Sequence, residues 1–94
     1  MLAVNATTRV YLYMRNVDMR RSYDGLMDIV QTEFARDIRL GDYFMFVNKR
    51  RDRIKIMWWD RDGLAIFMKR LEGKPKRDAA QFASIKFFHW LAIG

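Results

Sequence analysis

Apolar and polar positions alternate loosely from Arg9 to Met14, where Val10, Tyr11, Leu12 and Tyr13 are strong β formers, and the pattern predicts a strand. The period then changes. Tyr23, Leu26, Met27, Val30 and Phe34 recur at helical spacing, with Asp24, Asp28 and Gln31 mainly off that stripe, so a helix is expected from an N-cap at Ser22 to Arg36. Asp24 near its start and Arg36 near its end both complement the helix dipole. Gly25 weakens the first turn by up to about 1 kcal/mol relative to alanine, a cost that suits a place where a neighbour approaches closely.

Three strand-like runs follow, Tyr43 to Asn48, Arg53 to Trp59 and Leu64 to Leu71, separated by Lys49-Arg50-Arg51-Asp52 and by Asp60-Arg61-Asp62-Gly63. Connections of this length suit an antiparallel meander. Pairing Trp59 with Leu64 sets Met57 against Ile66 and Lys55 against Met68, and puts Trp58 beside Ala65 and Ile56 beside Phe67 on the other face. Phe44 and Phe46 then share the face of Lys55, Met57 and Trp59, while Met45 and Val47 join the second face. Both faces are largely apolar, so each requires cover. The helix after Ser22 serves one. For the other, the expectation is a C-terminal helix capped by Asp78 and running from Ala79 to Ile93, after the basic linker Gly73-Lys74-Pro75-Lys76-Arg77; a second copy or a partner is the alternative. The predicted class is α+β: a small antiparallel meander, one helix between strands one and two, and a C-terminal helix.

At 94 residues the chain is one domain, 1–94. It has no cysteine and a single histidine, His89, which excludes disulfides and most histidine-based metal sites. The stretch Met1 to Ala6 has no positive n-region and no apolar core of signal-peptide length, and no run reaches membrane-spanning length, so a cytoplasmic protein without membrane contact is expected. Catalysis finds little support. Asp18, Asp24, Asp60 and Asp62 are metal-site candidates by residue type only, Ser22 and Ser84 have no activating pattern, and no phosphate-binding glycine loop is present. No cofactor and no metal is expected.

Charge changes the picture. Eighteen Lys and Arg against eleven Asp and Glu give a net charge of +7, an excess that attracts polyanions, nucleic acid first among them. The cations gather in three groups: Arg20-Arg21 before the helix, Lys49-Arg50-Arg51 with Arg53 and Lys55 around the first hairpin turn, and Lys69-Arg70 running on to Lys74, Lys76 and Arg77. Arg50, Arg51, Arg53 and Lys55 are the leading phosphate ligands, supported by Arg20, Arg21, Lys69 and Arg70. Trp58 and Trp59, as strand neighbours, point to opposite faces. Trp59, on the face of Lys55, is the candidate for stacking on a base or docking a partner.

The order of these motifs resembles the TnpB-type accessory protein of insertion sequences of the sixty-six family. The resemblance rests on Asp18-Met19-Arg20, Tyr23-Asp24-Gly25-Leu26, the basic Lys49 to Arg51, Ile54-Lys55, Trp58-Trp59-Asp60, Gly63-Leu64 and Lys69-Arg70-Leu71-Glu72. It spans about three-quarters of the chain, in one order at plausible spacings. Ile38 stands where the family usually has proline. Residues 1–73 are family-like, whereas 74–94 form a divergent basic linker and aromatic tail. The resemblance implies a non-catalytic accessory of DNA transposition, with DNA, the transposase of the same element and a second copy of the chain as expected partners. A protein-interaction module that docks the transposase without touching DNA is the alternative, and a metal-dependent nuclease the third reading.

Overall fold

A computed structural model describes residues 9–72. It holds a four-stranded sheet of order β1-β2-β3-β4, with β1 Val10–Leu12, β2 Tyr43–Val47, β3 Arg53–Asp60 and β4 Gly63–Arg70. The helix α1, Tyr23–Ile29, lies between β1 and β2 in the chain. The predicted C-terminal helix falls outside the described residues.

The register of the three-stranded meander follows from side-chain alternation. Trp59 pairs with Leu64, Met57 with Ile66, Lys55 with Met68, Trp58 with Ala65 and Ile56 with Phe67. Across the first hairpin Phe44 pairs with Met57 and Phe46 with Lys55, while Met45 pairs with Ile56 and Val47 with Ile54. A slip of one residue would have exchanged every side chain between the two faces, and both faces have specific packing to lose. β1 departs from the meander. It runs parallel to β2, with Tyr11 opposite Phe44, so the sheet is mixed. A parallel neighbour requires a long crossover, and the helical segment between the two strands is that crossover.

The helical region is also less regular than its stripe implies. α1 ends at Ile29 and passes into a π-helical turn, Val30–Phe34, closed by Ala35 in the left-handed region at φ 52°. Ser22 occupies the N-cap position but its hydroxyl makes no capping bond, and Tyr23 at the head of the stripe is exposed. The wider π turn carries Phe34 into an aromatic cluster: its ring centre lies 5.2 Å from Phe44, 5.8 Å from Tyr11 and 6.1 Å from Tyr13. Such tilted contacts add to simple area burial. Gly25 has the close neighbour its position suggested, since a Cβ there would stand 3.3 Å from the Arg21 side chain.

Two hydrophobic layers result. On the helix side Leu26, Ile29, Val30 and Val17 pack with Phe44, Phe46 and Met57; on the far side Tyr43, Met45, Val47, Ile54 and Ile56 are buried together, with Trp58 against them. Past the helix, a 3-10 turn Ile38–Leu40 ends at Gly41, whose φ of 98° is readily available only to glycine. Asp42, buried just ahead of β2, accepts a 2.7 Å bond from Arg36 Nε, and the Arg36 guanidinium lies 5.0 Å over the Tyr11 ring.

These layers set a contrast in mutational cost. Ile56→Val, at a fully buried position, is expected to cost about 0.5–1.5 kcal/mol, whereas Leu40→Ala, at a position 71% exposed, should fall within about 0.5 kcal/mol of wild type. Urea unfolding of both variants checks this, and equal costs would contradict the layer assignment.

Candidate nucleic-acid interface

Alternation places Lys55 in the middle of β3, on the helix face, opposite Phe46 on one side and Met68 on the other. Its side chain is therefore drawn into the core, with only 9% of the residue exposed. A buried ammonium needs hydrogen-bond acceptors. It finds them in the segment between β1 and α1: Nζ donates to the Met19 carbonyl at 2.7 Å and to the Arg21 carbonyl at 2.6 Å. Both acceptors are neutral, so the pair of bonds ties that segment to the sheet without cancelling the lysine charge. Lys55 accordingly holds other residues in place, and its ammonium is already engaged.

The tied segment faces the first hairpin turn across an open groove of about 600 Å³. One wall is the stretch from Asn16 to Arg20, the other the turn from Asn48 to Arg50 with Arg53, and Met68 of β4 also lines it. Cations from two groups some thirty residues apart in sequence thus meet: Arg20 from one, and Lys49, Arg50 and Arg53 from the other. Asp18 is the carboxylate among them.

The turn is built by Asn48. Its Oδ1 accepts from the backbone N–H of Asp52 at 3.1 Å and of Arg53 at 3.0 Å, and its Nδ2 donates to Asp52 Oδ1 at 2.6 Å. An asparagine bonding backbone a few residues on is a recognised way to fix a turn. The Asn48 amide holds the Asp52 carboxyl below the usual carboxylate range, with smaller contributions from Arg50 and Arg53. Arg51 adopts φ 56°, and its Nε is buried without a hydrogen-bond partner. Arg50 reaches Asp52 only at 3.9 Å, and the side chains of Lys49 and Arg53 make no ion pair among the described residues.

On the facing wall Arg20 is bound to Asp18, whose two carboxylate oxygens accept from Nε and Nη2 at 2.7 to 3.1 Å. The Asp18 carboxyl also accepts from the Arg20 backbone N–H at 2.9 Å. The Arg20 side-chain bond, then the backbone bond, lower its pKa from 3.8 to about 2.

The remaining candidates scatter. Arg21 lines a separate polar groove of about 420 Å³ beyond Asn16 to Asp18, together with Arg15, Asp28 and Glu33. Arg70 stands opposite Arg53 and donates to Glu72 at 3.0 Å; Lys69, opposite Ile54, belongs to the far face. The tryptophans separate as strand neighbours must. Trp58 packs on the far face, its ring centre 5.6 Å from that of Tyr43. Trp59 lies on the helix face at the other end of β3 from Arg53, about 20 Å away at the rise of an extended strand. Its Nε1 donates to the Arg61 carbonyl at 3.0 Å, bracing a tight turn in which Arg61 has φ 60°. With Leu64, Met27 and the Arg36 to Arg39 segment it lines another groove, of about 520 Å³. Trp59 and the basic turn are therefore two sites.

Sequence reasoning passed over Asn48, Asn16 and Met68. Asn48 carries a legible signal, an asparagine at a strand end with an aspartate four residues on. Asn16 and Met68 carry none, since only tertiary packing brings them to the groove. Among the described residues no group of three or more His, Cys, Asp or Glu is placed to hold a metal ion, and no helix is long and apolar enough to cross a membrane.

A family model described as "IS66 Orf2 like protein" matches residues 8–91. The chain is also 33% identical over 99 aligned residues to the uncharacterized protein y4jC of Sinorhizobium fredii (strain NBRC 101917 / NGR234), an alignment covering 100% of this chain and 85% of that protein. No solved structure matches it.

Two measurements test this geometry. Lys55→Met leaves two carbonyls without a donor and is expected to cost about 1–3 kcal/mol, with faster amide hydrogen exchange from Asp18 to Arg21; unchanged exchange there would contradict the tie. The Asp18 carboxyl should titrate near 2 by carbon-13 NMR. Because that value lies below its ordinary 3.8, the Asp18–Arg20 pair contributes fully above pH 3.8 and its contribution is lost as pH falls toward 2. A midpoint at the ordinary value would show that the pair does not form.

Proposed function

The chain belongs to the IS66 Orf2-like family and is a transposition-associated accessory protein, and on that premise we propose that it binds DNA through phosphate contacts in the groove between Asn16–Arg20 and the Asn48–Arg53 turn. The observation that carries this reading is the convergence of Lys49, Arg50 and Arg53 with Arg20 on one concave surface. Among the described residues Lys49 and Arg53 make no ion pair within 4.0 Å, Arg53 acting on Asp52 only from further off, and Arg50 makes a long one at 3.9 Å. Such cations cost little to transfer to phosphates, and the release of condensed counterions drives the exchange. Lys55 contributes from beneath, as a fixed charge and as the support of the Arg20 wall. The protein acts without catalysis, bringing element DNA to the transposase.

A second reading has its own observation. The Trp59 groove, lined also by Leu64 and Met27, lies at the other end of the sheet from the cations and suits docking of the transposase. The two readings are compatible, one surface serving DNA and the other the protein partner.

The DNA reading predicts that replacing Lys49, Arg50 and Arg53 together by alanine weakens binding to all sequences alike and lowers the magnitude of the salt slope by about 2 to 3. Trp59→Ala should leave that slope unchanged. Fluorescence anisotropy across a salt series makes the comparison. A slope untouched by the triple substitution would overturn the assignment.

A further inference from the structure

We propose that the groove takes single-stranded DNA, seating phosphates on Lys49, Arg50 and Arg53 and an unpaired base against Met68 and Met19; this rests on the phosphate-binding reading above. Duplex DNA is engaged by elements that protrude into its grooves or lie along its backbone. Here the cations line an open concavity of about 600 Å³ between two segments of the chain. A strand one nucleotide thick can enter it and reach both walls. Asn48 closes the turn by accepting from the Asp52 and Arg53 backbone N–H groups, Arg51 has its Nε buried, and the Arg50 side chain, 78% exposed, lines the groove.

Met68 is 55% exposed in a groove lined by Val17 and Met19 as well as by Arg20, Lys49, Arg50 and Arg53. Phosphates offer nothing to a thioether. The face of a base does, because a polarisable sulfur packs favourably against an aromatic ring, and in this groove Met68 and Met19 stand where most single-strand sites carry aromatic side chains. Met68 pairs with Lys55 and is next but one to Arg70, so β4 itself sets the methionine among the charges. Asn16, on the opposite wall, supplies an amide able to meet a base edge.

The test uses the full chain and labelled oligonucleotides of one mixed sequence, presented as single-stranded DNA, as duplex DNA, as single-stranded RNA, and as a DNA strand of abasic sites. Single-stranded DNA is expected to bind about two- to tenfold tighter than the duplex or the abasic strand, the range that a sulfur–aromatic contact supplies. Met68→Ser, at an exposed position, should remove several-fold of that preference while leaving duplex affinity unchanged. Equal or tighter duplex binding that still depends on Arg50 would overturn the single-strand inference and leave the phosphate reading standing. RNA binding tighter than DNA would overturn the choice of DNA. Absence of binding to every oligonucleotide at low salt would overturn both.

Discussion

A lysine ammonium inside a small apolar layer is the constraint from which the rest of this surface follows. Strand alternation turns Lys55 toward the helix side with only 9% of the residue exposed, so its charge must be met largely from within. Carboxylates would have neutralised it. The carbonyls of Met19 and Arg21 instead satisfy its hydrogen bonds while leaving the charge in place. Those carbonyls belong to the segment that carries Arg20, and fixing them to β3 sets the groove wall opposite the hairpin turn. One interaction spanning more than thirty residues therefore joins the packing of the sheet to the electrostatics of its edge.

The opposite end of the helix is held by a different means. The π turn from Val30 to Phe34 spends regular helix geometry to bring Phe34 among Tyr11, Tyr13 and Phe44. Arg36 then locks the exit by bonding the buried Asp42 and lying over Tyr11. Hydrogen bonding to Asp42 raises the Arg36 pKa further above the range in which it could lose its charge. The helical crossover is thus pinned at both ends, at one by a lysine on carbonyls and at the other by an arginine on a carboxylate. The basic groove and the Trp59 groove lie toward these two ends.

How much of this was legible depends on which physical rule governs each part. The register of β2, β3 and β4 was, because period-two alternation with short connections admits few pairings and the apolar residues select one. The stripe of Leu26, Met27, Val30 and Phe34 likewise announced a helix. The parallel placement of β1 was not legible, since three residues of β former carry no sign of direction. The π turn was hidden for a related reason: one extra residue in a turn shifts the stripe by less than the tolerance of a helical pattern. Of the residues that line the groove, Arg20, Arg50 and Arg53 were singled out by charge clustering. Lys55 looked like another member of that cluster, and only its place in a two-sided sheet turns it inward. The twin tryptophans were expected on opposite faces as strand neighbours, and they lie there, Trp58 against the far layer and Trp59 against the helix-side layer.

The proposed binding of DNA at the Lys55-supported groove makes a spatial prediction. Amide chemical-shift perturbation on the isotope-labelled chain, titrated with a short single-stranded oligonucleotide, tests it most directly. The predicted result is shifts concentrated at Asn16 to Arg20, Asn48 to Arg53 and Met68 to Arg70, with Trp59, Leu64 and Arg36 to Arg39 quiet. Shifts centred on Trp59 and Leu64, with the groove unmoved, would contradict it.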